Sequence, residues 1–168
     1  GTHICQLYSS KRDFIEGMAP YIKEGLVNNE LCIWFYSQDV TYQELYESIK
    51  KNSLCVETYI DKGQLRLIPH NEWYIKGSNF DEFQVNEKWV QLLEYAFDKG
   101  FEGLRAVVDT SWLARCYSQD FLNYERNINS LISKMPIVVL CLYDVNTISI
   151  IELTEMISSH GYIIVRDN

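Results

Sequence analysis

Two stretches of this chain, Leu31 to Tyr36 (Leu-Cys-Ile-Trp-Phe-Tyr) and Ile137 to Tyr143 (Ile-Val-Val-Leu-Cys-Leu-Tyr), are apolar at every position. A strand with one face in water alternates polar and apolar residues. Unbroken apolar runs of this length therefore mark strands covered on both faces, as in a parallel sheet between two layers of helix. The segments around them fit that frame. Ile4 to Tyr8 reads as a strand, and Arg12 to Leu26 as a helix with Phe14, Ile15, Met18, Ile22 and Leu26 at helical spacing. Thr41 to Lys51 is a second helix, and Gln64 to Ile68 a strand between Gly63 and Pro69. The stretch from Ser53 to Lys62 has no clear assignment.

Asn71 to Gly77 reads as one or two helical turns and Asn79 to Asp81 as loop. Gln84 to Lys99 then carries an apolar stripe of Val85, Trp89, Leu92, Leu93, Ala96 and Phe97, ended by Gly100. Leu104 to Val108 is a strand with Asp109 at its end. A helix runs from an N-cap at Ser118 to Lys134, where Pro136 stops it. Thr147 to Ser159 and Tyr162 to Val165 supply a last helix and strand. This alternation predicts an α/β fold, a three-layer, doubly wound, mostly parallel sheet of about six strands. At 168 residues, one domain over 1–168 is expected.

Composition excludes several functions. A net charge of −8, without a basic cluster, argues against direct nucleic-acid contact. The longest apolar run is the seven residues from Ile137 to Tyr143, whereas a membrane-spanning helix needs about 20. No signal peptide is recognisable, and the Gly1-Thr2 start reads as the edge of a fragment excised from a longer signalling protein. The five cysteines form no Cys-x-x-Cys pair, and Cys5, Cys32 and Cys141 sit in apolar runs as small buried hydrophobes. A reduced, cytoplasmic protein is expected. His3, His70 and His160 are too scattered for a helix-borne metal pair, so neither metal nor cofactor is expected.

Ligands of open parallel sheets bind beyond the carboxyl ends of the strands. Those ends deliver Tyr8 and Ser9, Tyr36, His70 with Trp73 and Tyr74, Asp109 with Trp112, and Tyr143 with Asp144. Of 12 Tyr, 7 Phe and 4 Trp, packing alone explains Phe14, Phe35, Trp89, Phe97 and Phe121, whereas the rings just named converge on one edge. Aromatic walls with a few polar groups suit a small, largely apolar ligand. A phosphate loop, Gly-x-x-x-x-Gly-Lys-Ser/Thr, would follow the first strand in a nucleotide-binding relative of this layout. Here the turn reads Tyr-Ser-Ser-Lys-Arg-Asp-Phe from Tyr8, and Gly-Lys-Ser/Thr occurs nowhere. No Gly-x-Ser-x-Gly elbow marks a nucleophile. Glu125, beside Tyr124 on its helix, is expected to pair with Arg105 or to face solvent.

Several segments in order resemble the MEDS domain, a sensory module named for methanogens, methylotrophs and a dichloromethane-responsive regulator. They are His3 to Tyr8, Gly25 to Glu30, Gly63 to Leu65 leading into Glu72-Trp73-Tyr74, Gly100 to Arg105, Asp109 to Trp112, Tyr124-Glu125 and Cys141 to Asp144. The resemblance implies a RecA/KaiC-like module without a Walker A loop, which senses small molecules such as hydrocarbon derivatives. It further implies an attached kinase or DNA-binding output module, and puts His3, Arg105, Tyr124 and Glu125 beside the strand-end residues on family motifs. The expected function is non-catalytic small-molecule sensing, by a monomer or a homodimer. The ligand contacts are assigned to Tyr8, Ser9, Tyr36, His70, Trp73, Tyr74, Arg105, Asp109, Trp112, Tyr143 and Asp144. The alternatives are a divergent nucleotide-binding ATPase-like domain using Lys11, Arg12 and Asp109, and a protein-interaction module with a Tyr-rich surface.

Overall fold

A computed structural model of the chain describes residues 1–52, 55–76, 79–112 and 119–165. In chain order the strands are β1 (Thr2–Tyr8), β2 (Leu31–Tyr36), β3 (Leu65–Pro69), β4 (Ile75–Lys76), β5 (Asn79–Phe80), β6 (Leu104–Asp109), β7 (Ile137–Asp144) and β8 (Tyr162–Ile164). The helices are α1 (Lys11–Val27), α2 (Tyr42–Asn52), α3 (Val56–Asp61), α4 (His70–Trp73), α5 (Glu82–Asp98), α6 (Gln119–Ile132) and α7 (Ile150–Ser159). Six strands form one parallel sheet in the order β3-β2-β6-β7-β1-β8. β4 and β5 make a separate antiparallel pair.

The runs that suggested this fold occupy its interior. Every β2 residue from Leu31 to Phe35 is buried, because α1, α2 and α3 cover one face and α5 and α6 the other. On the first face Phe14, Met18, Ile22, Leu45, Ile49 and Val56 pack on Cys32, Trp34, Val107 and Leu140. On the second, Val85, Trp89, Leu93, Phe121, Tyr124 and Ile128 meet Cys5, Ile33, Phe35, Val108 and Cys141. The connections after β1 and β2 leave towards the first face and those after β6 and β7 towards the second. The winding therefore reverses between β1 and β7 and between β2 and β6, where open sheets form crevices.

Local chemistry sets the boundaries. Ser10 caps α1 by accepting from the Asp13 amide, and Asp81 caps α5 by accepting from the Gln84 amide. Ser149 and Glu152 form a reciprocal capping box at the start of α7. Four sequence expectations change. The unassigned stretch contains α3, held through the buried Val56. The loop expected at Asn79 to Asp81 begins as β5, and of the helical turns expected over Asn71 to Gly77, α4 supplies one while β4 takes Ile75–Lys76. Phe97 is 50% exposed. At about 100° per residue it lies about 100° from the line through Val85, Trp89, Leu92 and Ala96, outside the stripe. Ser118 and Gly77 lie outside the described residues.

Candidate functional site

The turn after β1 is where a phosphate loop would stand, and its chemistry is wrong for phosphate. Of the free amides that make a helix N-terminus attract anions, the one at Asp13 is engaged by the chain itself: Ser10 Oγ accepts from it at 3.1 Å and donates to Asp13 Oδ2 at 2.6 Å. The two cations of the turn are matched, Lys11 by Glu44 at 2.6 Å and Arg12 by Glu16 at 3.2 Å. Beside them opens a cavity of about 620 Å³, lined by Gln6, Leu7, Tyr8, Ser9, Asp13, Glu16, Gly17, Pro20, Val145 and Val165. Among the described residues, two carboxylates and no cation thus line this space. Tyr8 stacks on Phe14 at 5.2 Å, and burial pushes its phenol above the ordinary range. The β7–α7 turn closes on the same place, with the Val145 amide donating to the Tyr8 carbonyl at 3.0 Å and Asn146 Nδ2 to the Ser9 carbonyl at 2.9 Å. Asp144 shapes that turn, its Oδ1 accepting from the amide and side chain of Asn146.

At the second reversal, Asp109 is fully buried and ties β6 to β2. Its Oδ2 accepts from the Ser37 amide and its Oδ1 from the Ser111 amide, each at 3.0 Å, while Ser111 Oγ donates to Ser37 Oγ at 2.8 Å. Around this clasp the expected aromatic residues do gather. His70 stacks on Trp112 at 5.3 Å, Tyr74 on Trp112 at 5.6 Å, and Trp73 meets Phe35 at 4.7 Å and Trp89 at 5.3 Å. The three rings Trp73, Tyr74 and Trp112 are buried, and the indole N–H groups of Trp73 and Trp112 have no hydrogen-bond partner among the described residues. Burial lowers the His70 imidazole, and its hydrogen bond to the Tyr36 backbone opposes that. Tyr36 is only partly buried. Residues 113–118 lie outside the described residues.

Two assigned residues stand elsewhere. Arg105 is the second residue of β6, at the end opposite the crevices. It makes a two-pronged ion pair with Glu30, Nε to Oε2 at 2.5 Å and Nη2 to Oε1 at 3.3 Å, over the ring of Tyr21. This corrects the expectation for Glu125, which neither meets Arg105 nor faces solvent. Glu125 is 2% exposed and points from α6 at the sheet. Tyr143, also expected in the crevice, turns to the same side and meets His160 edge-on at 5.7 Å.

There the sheet carries a second constellation that sequence spacing does not reveal. His3 on β1, Cys141 on β7, Glu125 on α6 and His160 just after α7 are all buried, with their ligating atoms within 4.8 Å of one another. His3 Nε2 is 3.4 Å from Cys141 Sγ and 3.6 Å from Glu125 Oε2, and His160 Nε2 is 3.4 Å from the same oxygen. Burial pushes the Glu125 carboxyl up to about 8, opposed by the Tyr143 hydroxyl, and holds His3 down at about 2 and His160 at about 4. These are the residues among those described that could hold a metal ion. The signal for half of the cluster was parity: His3, Cys5, Cys141 and Tyr143 share one face once β1 pairs with β7 in the register Cys5 to Cys141. That pairing is not written in either strand.

The sequence pattern of the MEthanogen/methylotroph, DcmR Sensory domain, MEDS, matches residues 2–161. The chain belongs to the MEDS family of sensory domains. No curated protein matches it. Among solved structures, a KaiC-like protein from the hyperthermophilic archaeon Pyrococcus horikoshii superposes with a TM-score of 0.65 at 12% identity, over 99% of this chain and 74% of that one. The flagellar accessory protein FlaH of Methanocaldococcus jannaschii gives 0.60 at 12% identity, over 98% and 71%. The MEDS fold here is thus of the RecA/KaiC type. Among its described residues no helix is long and apolar enough to cross a membrane.

Proposed function

We propose that this MEDS domain senses without catalysis, by binding a small neutral or cationic organic molecule in the cavity at the carboxyl end of β1. The observation that carries the reading is the exchange of chemistry at that position. A cavity of about 620 Å³, within the roughly 300–1,000 Å³ usual for ligand sites, opens where a nucleotide's phosphates would lie, and it presents Asp13 and Glu16 instead of Lys and glycine amides. Leu7, Pro20 and Val145 supply apolar wall and Ser9 a hydroxyl, which suits a hydrocarbon derivative bearing one polar or amine group. The signal would pass through α1 and the β7–α7 turn, both joined to β1 at the cavity, to an attached kinase or DNA-binding module in the cytoplasm.

The test is a thermal-shift panel of short alcohols, halocarbons and methylated amines beside ATP and ADP with magnesium, since a ligand bound only by the folded chain raises its midpoint. A member of the organic panel is expected to stabilise the wild type but not Val145→Trp, whose larger ring intrudes on the cavity wall. Nucleotides are expected to stabilise neither. A midpoint raised by ATP would favour the ATPase-like alternative and overturn the reading. A second seat for the same class of ligand is the aromatic cluster of Trp73, Tyr74 and Trp112, favoured by two indole N–H groups without a partner among the described residues. A shift that survives Val145→Trp would point there.

A further inference from the structure

The buried cluster on the other face of the sheet has a geometry that hydrogen bonding explains only in part, since His3 Nε2 meets Cys141 Sγ at 3.4 Å but other polar atoms stay unmatched. Glu125 Oε2 and His160 Nε2 each lack a hydrogen-bond partner although they lie 3.4 Å apart, and burying polar groups unsatisfied is costly. A zinc ion bound at about 2.0–2.3 Å by nitrogen, oxygen and thiolate sulfur sets its donors at the corners of a tetrahedron with edges of about 3.3–3.7 Å. Three of the six donor-to-donor distances of the cluster, 3.4, 3.6 and 3.4 Å, have that length, and all six lie within 4.8 Å. One ligand is already oriented. His160 Nδ1 lies 2.7 Å from the Met156 carbonyl, and a proton held there leaves the Nε2 lone pair facing the cluster, the outer-shell arrangement that metal-bound imidazoles use. Charge also balances, since a divalent cation with one thiolate, one carboxylate and two neutral imidazoles makes a neutral unit, the form in which ions tolerate burial.

We infer that His3, Glu125, Cys141 and His160 form a closed tetrahedral site for a divalent zinc-type ion. On binding, the ion displaces the Cys141 thiol proton and the Glu125 carboxyl proton, which leave to solvent. Four protein ligands at a site whose side chains are nearly inaccessible leave no open position for substrate, so the ion is structural. It stitches α6 and the end of α7 to the adjacent strands β1 and β7.

The probes are zinc and cobalt(II) themselves. The chain, stripped by a chelator and refolded, should take up about one cobalt per molecule, with a thiolate-to-cobalt charge-transfer band and the intense visible bands of tetrahedral cobalt. Zinc should displace it and raise the unfolding midpoint. Cys141→Ser should abolish the charge-transfer band, and Glu125→Gln and His160→Gln should cut metal retained through dialysis by roughly tenfold or more. Replacing the exposed Cys55 should change nothing. Should the buried variants fail to fold, X-ray absorption on the zinc-loaded wild type decides: one sulfur and three nitrogen or oxygen neighbours support the site, and any other sulfur count overturns it. A folded wild type that takes up neither ion, or a charge-transfer band that persists in Cys141→Ser, also overturns it.

Discussion

Asp109→Asn separates a structural carboxylate from a magnesium ligand at the end of β6. In the fold the two oxygens of Asp109 each accept one backbone amide, from Ser37 and from Ser111, at 3.0 Å and without solvent contact. An amide keeps one acceptor and turns its NH2 against the other N–H. One charge-assisted bond worth about 1.5–3 kcal/mol is then lost, and the survivor falls to a neutral bond worth about 1 kcal/mol. Relief of the buried charge returns part of that, for a net loss of roughly 2 kcal/mol. For a chain of this size the midpoint should fall by roughly 4–8 °C. Asp109→Ala strands both amides and should cost more, roughly 4 kcal/mol. Urea unfolding followed by circular dichroism, with the slopes checked for constancy, measures both. A carboxylate waiting for a metal predicts the opposite sign, because removing an uncompensated buried charge stabilises. An Asn variant as stable as the wild type, or stabilisation of the wild type by magnesium, would refute the clasp.

Further outcomes follow from the packing. Trp89 Nε1 donates to Tyr124 Oη at 2.9 Å in the core. A double-mutant cycle with Trp89→Phe and Tyr124→Phe should therefore show a coupling of about 1–2 kcal/mol, whereas additivity within about 0.5 kcal/mol would deny the bond. Arg105→Ala removes a largely buried partner of Glu30 and should destabilise by about 3 kcal/mol, measured by urea unfolding. Because Arg105 sits at the far end of β6, the same variant should leave the thermal shift of the best organic ligand unchanged. A lost shift would return Arg105 to the binding site.

The layer order was legible because burial on both faces leaves a signature within each strand, as Leu31 to Tyr36 and Ile137 to Tyr143 show. α3 was not, since a six-residue helix anchored by the single side chain of Val56 has no period to read. The strand-end rule located Tyr8, Ser9 and the Trp73, Tyr74 and Trp112 group from sequence, because it depends only on where a strand stops. It could not distinguish a ring that lines a space from one that fills it. Tyr143 and Glu125 were misjudged because each faces His160, a neighbour brought in by the passage of α7 across β1. The four-residue cluster is invisible for the same reason: its members come from β1, α6, β7 and the C-cap of α7, and only the sheet order makes them adjacent.

Hydrogen exchange, with and without the compound that gives the largest thermal shift, tests most directly where this domain binds. Protection is expected in residues 6–20 and around Val145, the walls of the cavity beside β1, and should vanish in Val145→Trp. Protection confined to residues 70–74 and 109–112, with 6–20 unchanged, would place the ligand in the aromatic cluster and contradict the account.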